Sequence, residues 1–301
     1  MNTAQIIKTL KNLITSNLND VPGCYEEFEM WYREREQNLC SGNLNSYLPI
    51  RSPVLKLVFK ELFGTMPFDK EYVLKNYLYS AYGISYLVYP SKNPRRLFIL
   101  FSGFINRVTF NRYSWFWDPE EKWEQDTVYL FLNDPTCHWY VGVKGNNLFD
   151  KYSNIITTVA ENFKITNESI HTCGASMGGY AAILYGLHHK VKSIIAVHPQ
   201  FSYKNAQRYI NSRIWSDKIS ECGNQFIDLD DAVARSKKRP NLYLEISENP
   251  ADTYGSTEFI NEYLKREAIL LIKKTCAENH ETQSPSFELL KTTIDFFENS
   301  L

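Results

Sequence analysis

The sequence predicts an α/β protein, a mostly parallel, doubly wound sheet with a helical N-terminal addition. Three observations carry this reading. From about Gly83 onward, short β-rich runs alternate with longer segments of helical periodicity. Most of those runs are continuously apolar, as strands are when helices cover both faces of the sheet. The residues before them show helical spacing and no such runs.

Taken in order, Ile6, Ile7, Leu10, Leu13, Ile14 and Leu18 recur at helical intervals until Val21-Pro22-Gly23 stops the pattern. A second helical stretch covers about residues 25–38, and a third covers 52–62, where Pro53 fits a first-turn position. Strands are predicted at 84–89, 96–101, 127–132, 169–173, 193–198, 242–246 and 268–272, with helices at 148–163 and 177–187. Residues 200–239 are polar and aromatic and read as a helical insertion between two strands. The domain expectation is a helical segment over 1–82 and a catalytic domain over 83–301.

Composition narrows the function classes. The chain has 301 residues, 44% of them hydrophobic, and 33 basic residues balance 34 acidic ones. A net charge of -1 generates no general field for nucleic acid or anionic lipid, so no nucleic-acid partner is expected. No apolar run of about 18 residues is present to span a membrane, and the first residues lack a secretory signal pattern. A cytoplasmic protein is expected. The six cysteines lack Cys-x-x-Cys spacing and are expected as free thiols. Cys276 and His280 stand four apart, but no further ligands complete a metal site, so no metal is expected. Neither a phosphate-binding Gly-x-x-x-x-Gly-Lys nor a dinucleotide fingerprint occurs.

The most informative stretch is Gly174-Ala175-Ser176-Met177-Gly178, between a predicted strand and a predicted helix. Gly-x-Ser-x-Gly in that context is a nucleophile elbow. A serine on so sharp a turn adopts a strained backbone, and the chain on either side passes so close that Cβ atoms at 174 and 178 would collide. The turn lifts Ser176 above the sheet edge at a helix N-terminus, which favours developing negative charge.

At these residues the chain resembles the α/β-hydrolase fold family, over roughly residues 83–301. The resemblance implies an acid after a later strand and a histidine after the last one. Asp252 and His280 fall on the matching loops, with Glu248, Asp228, Asp230 and Asp231 as other acids if the strand register differs. In the implied chemistry His280 takes the Ser176 proton, Asp252 orients the imidazolium, and Ser176 forms an acyl-enzyme. The oxyanion donors implied are the backbone N–H groups of Met177 and Phe104, although Ser102-Gly103-Phe104 departs from the His-Gly-Gly found in some members. His198 is a wall residue in this reading, His171 a core residue, and His188 and His189 solvated.

Two more loops, 106–117 and 133–140, reach the same rim and interleave aromatic with polar residues. That pattern suits a sugar, with Arg107, Arg112, His138 and Trp139 as substrate-binding candidates. Ordinary packing is the plain alternative in a chain with 20 Tyr and 18 Phe. The strings Phe101-Ser102-Gly103-Phe104-Ile105-Asn106-Arg107, Leu132-Asn133-Asp134-Pro135 and Trp139-Tyr140-Val141-Gly142, together with the elbow, are similar to hydrolase-fold proteins of bacterial surface-polysaccharide synthesis. Some of those are capsule O-acetyltransferases. That resemblance implies an ester or carbohydrate substrate, with acetyl-CoA as donor if the enzyme is a transferase and no cofactor if it is an esterase. A non-catalytic relative serving in a secretion or glycan-assembly complex is the alternative from another class.

The histidine assignment predicts activity that rises with pH through the titration of His280, near the unperturbed value of about 6.5 unless Asp252 raises it. A rate profile flat from acid to alkaline pH removes this base. His280→Ala is expected to lose far more rate than His138→Ala in the same assay.

Overall fold

Uninterrupted apolar runs form the centre of one sheet. The computed structural model describes residues 28, 30–32, 70–105, 110, 126–208, 212–276 and 287–300. The helices expected at 6–18 and 52–62, most of the one at 25–38, and Arg107, Arg112 and His280 lie outside them. The chain divides into two compact units, Met1–Val73 with Ser114–Pro119, and Leu74–Tyr113 with Glu120–Leu301. Within the first, residues 28 and 30–32 are helical, and the Phe28 and Trp31 rings stack with centroids 6.0 Å apart.

The second unit carries the sheet. Its strands are β1 (Leu78–Ala81), β2 (Ile84–Tyr89), β3 (Arg96–Phe101), β4 (Thr127–Leu132), β7 (Ile170–Ala175), β8 (Ser193–Val197), β9 (Asn241–Ser247) and β10 (Leu270–Thr275), with a small separate hairpin of β5 (Gly142–Val143) and β6 (Asn146–Asn147). The order is β1-β2-β4-β3-β7-β8-β9-β10. From β4 to β10 every neighbouring pair is parallel, while β2 runs antiparallel to both of its neighbours. Strands β4, β7 and β8 are buried at every position, as strands with helices on both faces must be.

The sheet starts earlier than the sequence suggests. Residues 78–81, left within the helical segment by periodicity, pair with β2 through a two-residue turn in which Tyr82 and Gly83 both have positive φ, 55° and 77°. That geometry matches the twist of a hairpin, but Tyr-Gly is a weaker signal for it than Asn-Gly. At the other edge, β10 is largely exposed and carries Lys273 and Lys274, charges that discourage edge pairing.

Two features position the site. The order reverses at β3, which has β4 on one side and β7 on the other, so the switch point, where open α/β sheets place their sites, lies at the carboxyl ends of β3 and β7. Between β8 and β9 lie the helices Tyr203–Ala206, Ser212–Cys222 and Leu229–Arg235, which form the helical insertion. Among the described residues no helix is long and apolar enough to cross a membrane. Cys137, Cys173 and Cys222 are buried thiols, and Cys276 is an exposed one.

At the opposite end of the strands, helix Phe287–Asn299 buries Leu290, Ile294 and Phe297 and is held by a polar clamp. Arg96 pairs with Asp126 at 3.2 Å, Glu298 at 3.5 Å and Asp295 at 3.7 Å. The fully buried His171 places Nδ1 2.8 Å from Ser193 Oγ and Nε2 3.1 Å from Glu298 Oε1. Burial pushes the His171 pKa below its usual value despite Glu298. Partial burial opposes the charge on Glu298, yet the His171 hydrogen bond and the nearby Arg96 outweigh it and hold that carboxyl below its usual range.

Both shifts weaken the fold in acid. As pH falls below about 6.5 the unfolded histidine takes up a proton that the folded one resists, and at lower pH the Glu298 contribution is lost as well. His171→Gln is expected to cost about 1–3 kcal/mol at pH 7 yet to flatten the fall in Tm between pH 7 and pH 5. Thermal melts across that range check it, and parallel curves for the two proteins would remove His171 as the titrating group.

Candidate active site

Strand β7 delivers the serine. Ser176 follows Ala175 with φ 55° and ψ −123°, and helix Met177–His189 starts at the next residue. Its N–H donates to Val197 O at 2.9 Å, and its carbonyl accepts from Tyr180 N at 3.1 Å. A Cβ added at Gly174 would stand 2.1 Å from Gly178 O. One added at Gly178 would stand 2.4 Å from Phe101 O and 2.9 Å from Ser102 O. The two Cβ atoms expected to collide with each other thus collide with backbone instead. Gly178 is required by the chain leaving β3, and this same approach packs the Ser102–Phe104 loop against the elbow.

Phe104 and Met177 flank that junction. The Phe104 ring packs on Trp139 at 5.5 Å and Trp215 at 6.5 Å, and the Met177 side chain is fully buried. The Tyr140 hydroxyl lies 2.9 Å from Ser102 O and 3.1 Å from Leu132 O, tying the ends of β3 and β4 together. Burial, with Asp134 close by, raises the Tyr140 pKa well above its usual value and keeps this donor protonated.

The loop after β4 is built around a residue that the sequence did not single out. The fully buried Asp134 carboxylate accepts from Thr136 N (3.0 Å), Thr136 Oγ1 (2.6 Å), His138 N (2.9 Å) and Tyr140 N (2.9 Å). Charge-assisted bonds of this kind offset the cost of three left-handed residues, Cys137, Trp139 and Tyr140, with φ of 57°, 51° and 63°. Trp139 is consequently buried, 1% exposed, and donates from Nε1 to Gln200 Oε1 at 3.3 Å. Gln200, also buried, donates from Nε2 to Ser176 Oγ at 3.2 Å. His138 places Nε2 2.7 Å from Glu221 Oε2 and Nδ1 2.9 Å from Thr136 Oγ1, bridging the loop to helix Ser212–Cys222. Hydrogen bonds from Lys218 and His138 lower the Glu221 pKa.

The acids separate by burial. Asp252 lies on the short helix Pro250–Thr253 directly after β9 and is fully buried. It accepts a short hydrogen bond from Ser247 Oγ, and its Oδ2 is 3.9 Å from His198 Nδ1. Glu248 is exposed and pairs with Lys274 at 3.7 Å. Asp228 accepts from Tyr203 N at 3.0 Å at the start of an insertion helix, its pKa raised by burial, and Asp230 and Asp231 follow in the first turn of that helix. His198 is buried at the end of β8 with φ 43°, its Nε2 3.3 Å from Thr275 Oγ1. The ends of β8, β9 and β10 therefore gather His198, Asp252 and Thr275. His189 is less solvated than expected: Nε2 lies 3.1 Å from Ser153 Oγ, and burial followed by the neighbouring His188 pushes its pKa down to about 4. Among the described residues no cluster of three His, Cys, Asp or Glu side chains could hold a metal.

No protein-family model matches the chain, and no curated protein matches it. Solved structures do. The serine hydrolase FphF of Staphylococcus aureus is 15% identical with a TM-score of 0.54, over 74% of this chain and 97% of that one. The capsule O-acetyltransferase of Neisseria meningitidis serogroup A is 15% identical with a TM-score of 0.52, over 73% and 92%. The glycosylation-associated Gap123 complex of Streptococcus agalactiae is 16% identical with a TM-score of 0.52, over 74% of this chain but 44% of that one. With the sheet order, these likenesses identify the α/β-hydrolase fold.

The Asp134 loop generates a stability prediction. Asp134→Ala removes the acceptor of three backbone amides, the Tyr140 amide buried and those of Thr136 and His138 part-buried, and is expected to cost about 3 kcal/mol, with a smaller loss for Asp134→Asn, which keeps one acceptor. Urea denaturation measures both. An alanine variant within about 0.5 kcal/mol of wild type would mean the loop is held by other contacts.

Proposed function

We propose that this protein is a serine-dependent acyl-transfer enzyme, an esterase or an O-acetyltransferase, whose substrate is a carbohydrate ester or hydroxyl such as that of a bacterial surface polysaccharide. The observation that carries this reading is Ser176 itself, a non-glycine residue held at φ 55° on the turn into a helix, at the switch point of a parallel sheet. Strain of about 1–3 kcal/mol at such a position persists where function selects it.

In the proposed mechanism Ser176 attacks the acyl carbonyl, His280 accepts its proton, and Asp252 orients the imidazolium. The N–H groups of Met177 and Phe104 receive the oxyanion, aided by the helix N-terminus. Water or a sugar hydroxyl then resolves the acyl-enzyme, with acetyl-CoA as acyl donor in the transferase case. Arg107 and Arg112 are proposed to grip the substrate, with His138 at the rim. The burial of Trp139 gives it a positioning part.

The carbohydrate assignment draws support from a groove of about 500 Å³ in the insertion, lined by Tyr203, Ser220, Phe226, Asp228 and Asp231 among others. Rings stack on sugar faces, and carboxylates accept from hydroxyls. Phe226 stacks on Tyr180 of the elbow helix at 4.7 Å. The neighbours named for capsule O-acetylation and for glycosylation favour the same substrate class.

A fluorophosphonate probe tests the core of the proposal. Labelling is expected in the wild type and absent in Ser176→Ala, with hydrolysis of a small acetyl ester lost by about 10³-fold or more. Folded wild-type protein that neither labels nor hydrolyses the ester would favour the non-catalytic role in a glycan-assembly complex. Acetyl-CoA supplied with polysaccharide acceptors separates the two enzymes: sugar acetylation faster than CoA release to water identifies the transferase.

A further inference from the structure

We propose that Gln200 is a catalytic residue of this site, donating a hydrogen bond to the nucleophile and thereby directing the Ser176 proton toward the base. The inference rests on the serine-nucleophile reading above and extends it to a residue that no motif marks.

The polarity of the contact follows from Trp139. An indole N–H can only donate, so it selects the Oε1 side of the Gln200 amide and turns Nε2 toward Ser176 Oγ. Trp139 itself is fixed between Phe104 and Phe226, at ring distances of 5.5 and 6.3 Å, on the loop that Asp134 organises. The backbone after Gln200 is fixed too, since Phe201 N donates to Asn205 Oδ1 at 3.1 Å and Phe201 O accepts from Leu229 N at 2.8 Å. The donor is thus preorganised on buried groups.

A serine hydroxyl has one hydrogen. Where Gln200 offers an N–H, Ser176 accepts, and its own O–H points elsewhere. During acylation the Oγ–H bond breaks and the proton passes to the base as Oγ bonds to the carbonyl carbon, Nε2–H stabilising the charge on Oγ while that bond forms; the carbonyl oxygen takes the π electrons, and their return breaks the bond to the leaving group, which departs with the proton from the base. During deacylation water or the acceptor hydroxyl gives its proton to the base and bonds to the carbonyl carbon, then the C–Oγ bond breaks, Oγ takes that proton from the base, and the same donor stabilises the departing oxygen. Gln200 itself neither gains nor loses a proton. Because it meets the nucleophile rather than the substrate, its removal affects kcat and leaves KM near its wild-type value.

Gln200→Glu tests this without changing shape. Its Oε1 still accepts from Trp139, but an ionised carboxylate facing Ser176 accepts the hydroxyl proton and misdirects it. The expected result on a small acetyl ester at pH 8 is a loss of kcat of about 100-fold, with KM within about twofold. As pH falls through the titration of the buried Glu, raised by desolvation, the protonated carboxyl donates again and relative activity recovers. Both proteins lose activity as the shared base is protonated, so the reading is the ratio of Gln200→Glu to wild-type kcat, which rises as pH falls. A merely structural role leaves that ratio constant.

If near-UV circular dichroism shows that Gln200→Glu fails to fold, Trp139→Phe carries the test: it frees the amide to rotate and should lower kcat at unchanged KM. An active wild type with a Gln200→Glu profile that tracks it, or with a folded Trp139→Phe of full kcat where Gln200→Glu is unusable, overturns the role of Gln200 alone. A wild type that neither takes the fluorophosphonate nor turns over the ester overturns the serine reading and this inference with it.

Discussion

The close approach of backbone at the end of β7 is the constraint on which the site depends. With Gly174 against Gly178, and Gly178 against the carbonyls of Phe101 and Ser102, the elbow helix can start on top of the sheet beside the chain leaving β3. Any side chain at either glycine would push the helix away by more than the sheet can yield, because β3 and β7 are paired from Leu97 with Ile170 to Phe101 with Gly174. The same contact brings a helix N-terminus, a raised serine and the Ser102–Phe104 loop together. The strain at Ser176 persists because buried strands on both sides leave the backbone no lower-energy route.

A second constraint works from the loop after β4. One buried carboxylate, Asp134, accepts three amides and a hydroxyl and so holds a loop containing three left-handed residues. That loop fixes Trp139, which sets the Gln200 amide, which meets Ser176. The chain of contacts runs from an acid that accepts from its own loop, through Trp139, which donates to Gln200, to Gln200, which donates to Ser176. Left-handed residues such as these would relax without the carboxylate, and the Gln200 amide would lose its orientation.

What the sequence made legible, and what it did not, follows from where the determining contacts lie. Residues 96–101 and 127–132 read correctly to the residue, since strands covered on both faces need nothing but apolar side chains. Ser176 was legible because the glycines that its turn demands fall within five consecutive positions, although the contact that requires Gly178 comes from β3. Residues 78–81 were missed because a short strand beside a helix has no periodicity of its own, and β10 lies about two residues later than apolar content suggested because an edge strand ends in lysines. The order of loops pointed to Asp252, but only its burial separates it from the exposed Glu248. Gln200 had no signal at all: Ser176 and Trp139, which it meets, lie 24 and 61 positions away in the chain, and it opens a polar, aromatic stretch where nothing local distinguishes a buried amide from a solvated one.

The proposed triad is the same for water and for a sugar hydroxyl, so the choice between them rests on access to the acyl-enzyme. Ser176 is only 8% exposed. The insertion beside it is pinned at several points, by His138 to Glu221, by Phe226 on Tyr180, and by Ile227 N, which donates to the Tyr180 hydroxyl at 3.2 Å. A loosely held cover would admit water as readily as any acceptor. Under the proposed function, an insertion anchored to the elbow helix itself would keep the ester shielded until a second nucleophile brings enough binding energy to occupy the space, and a saccharide with many hydroxyls would do so far better than a single water. In the proposed enzyme the anchoring of the insertion is therefore the feature that would favour transfer over hydrolysis without any change in the proposed catalytic groups.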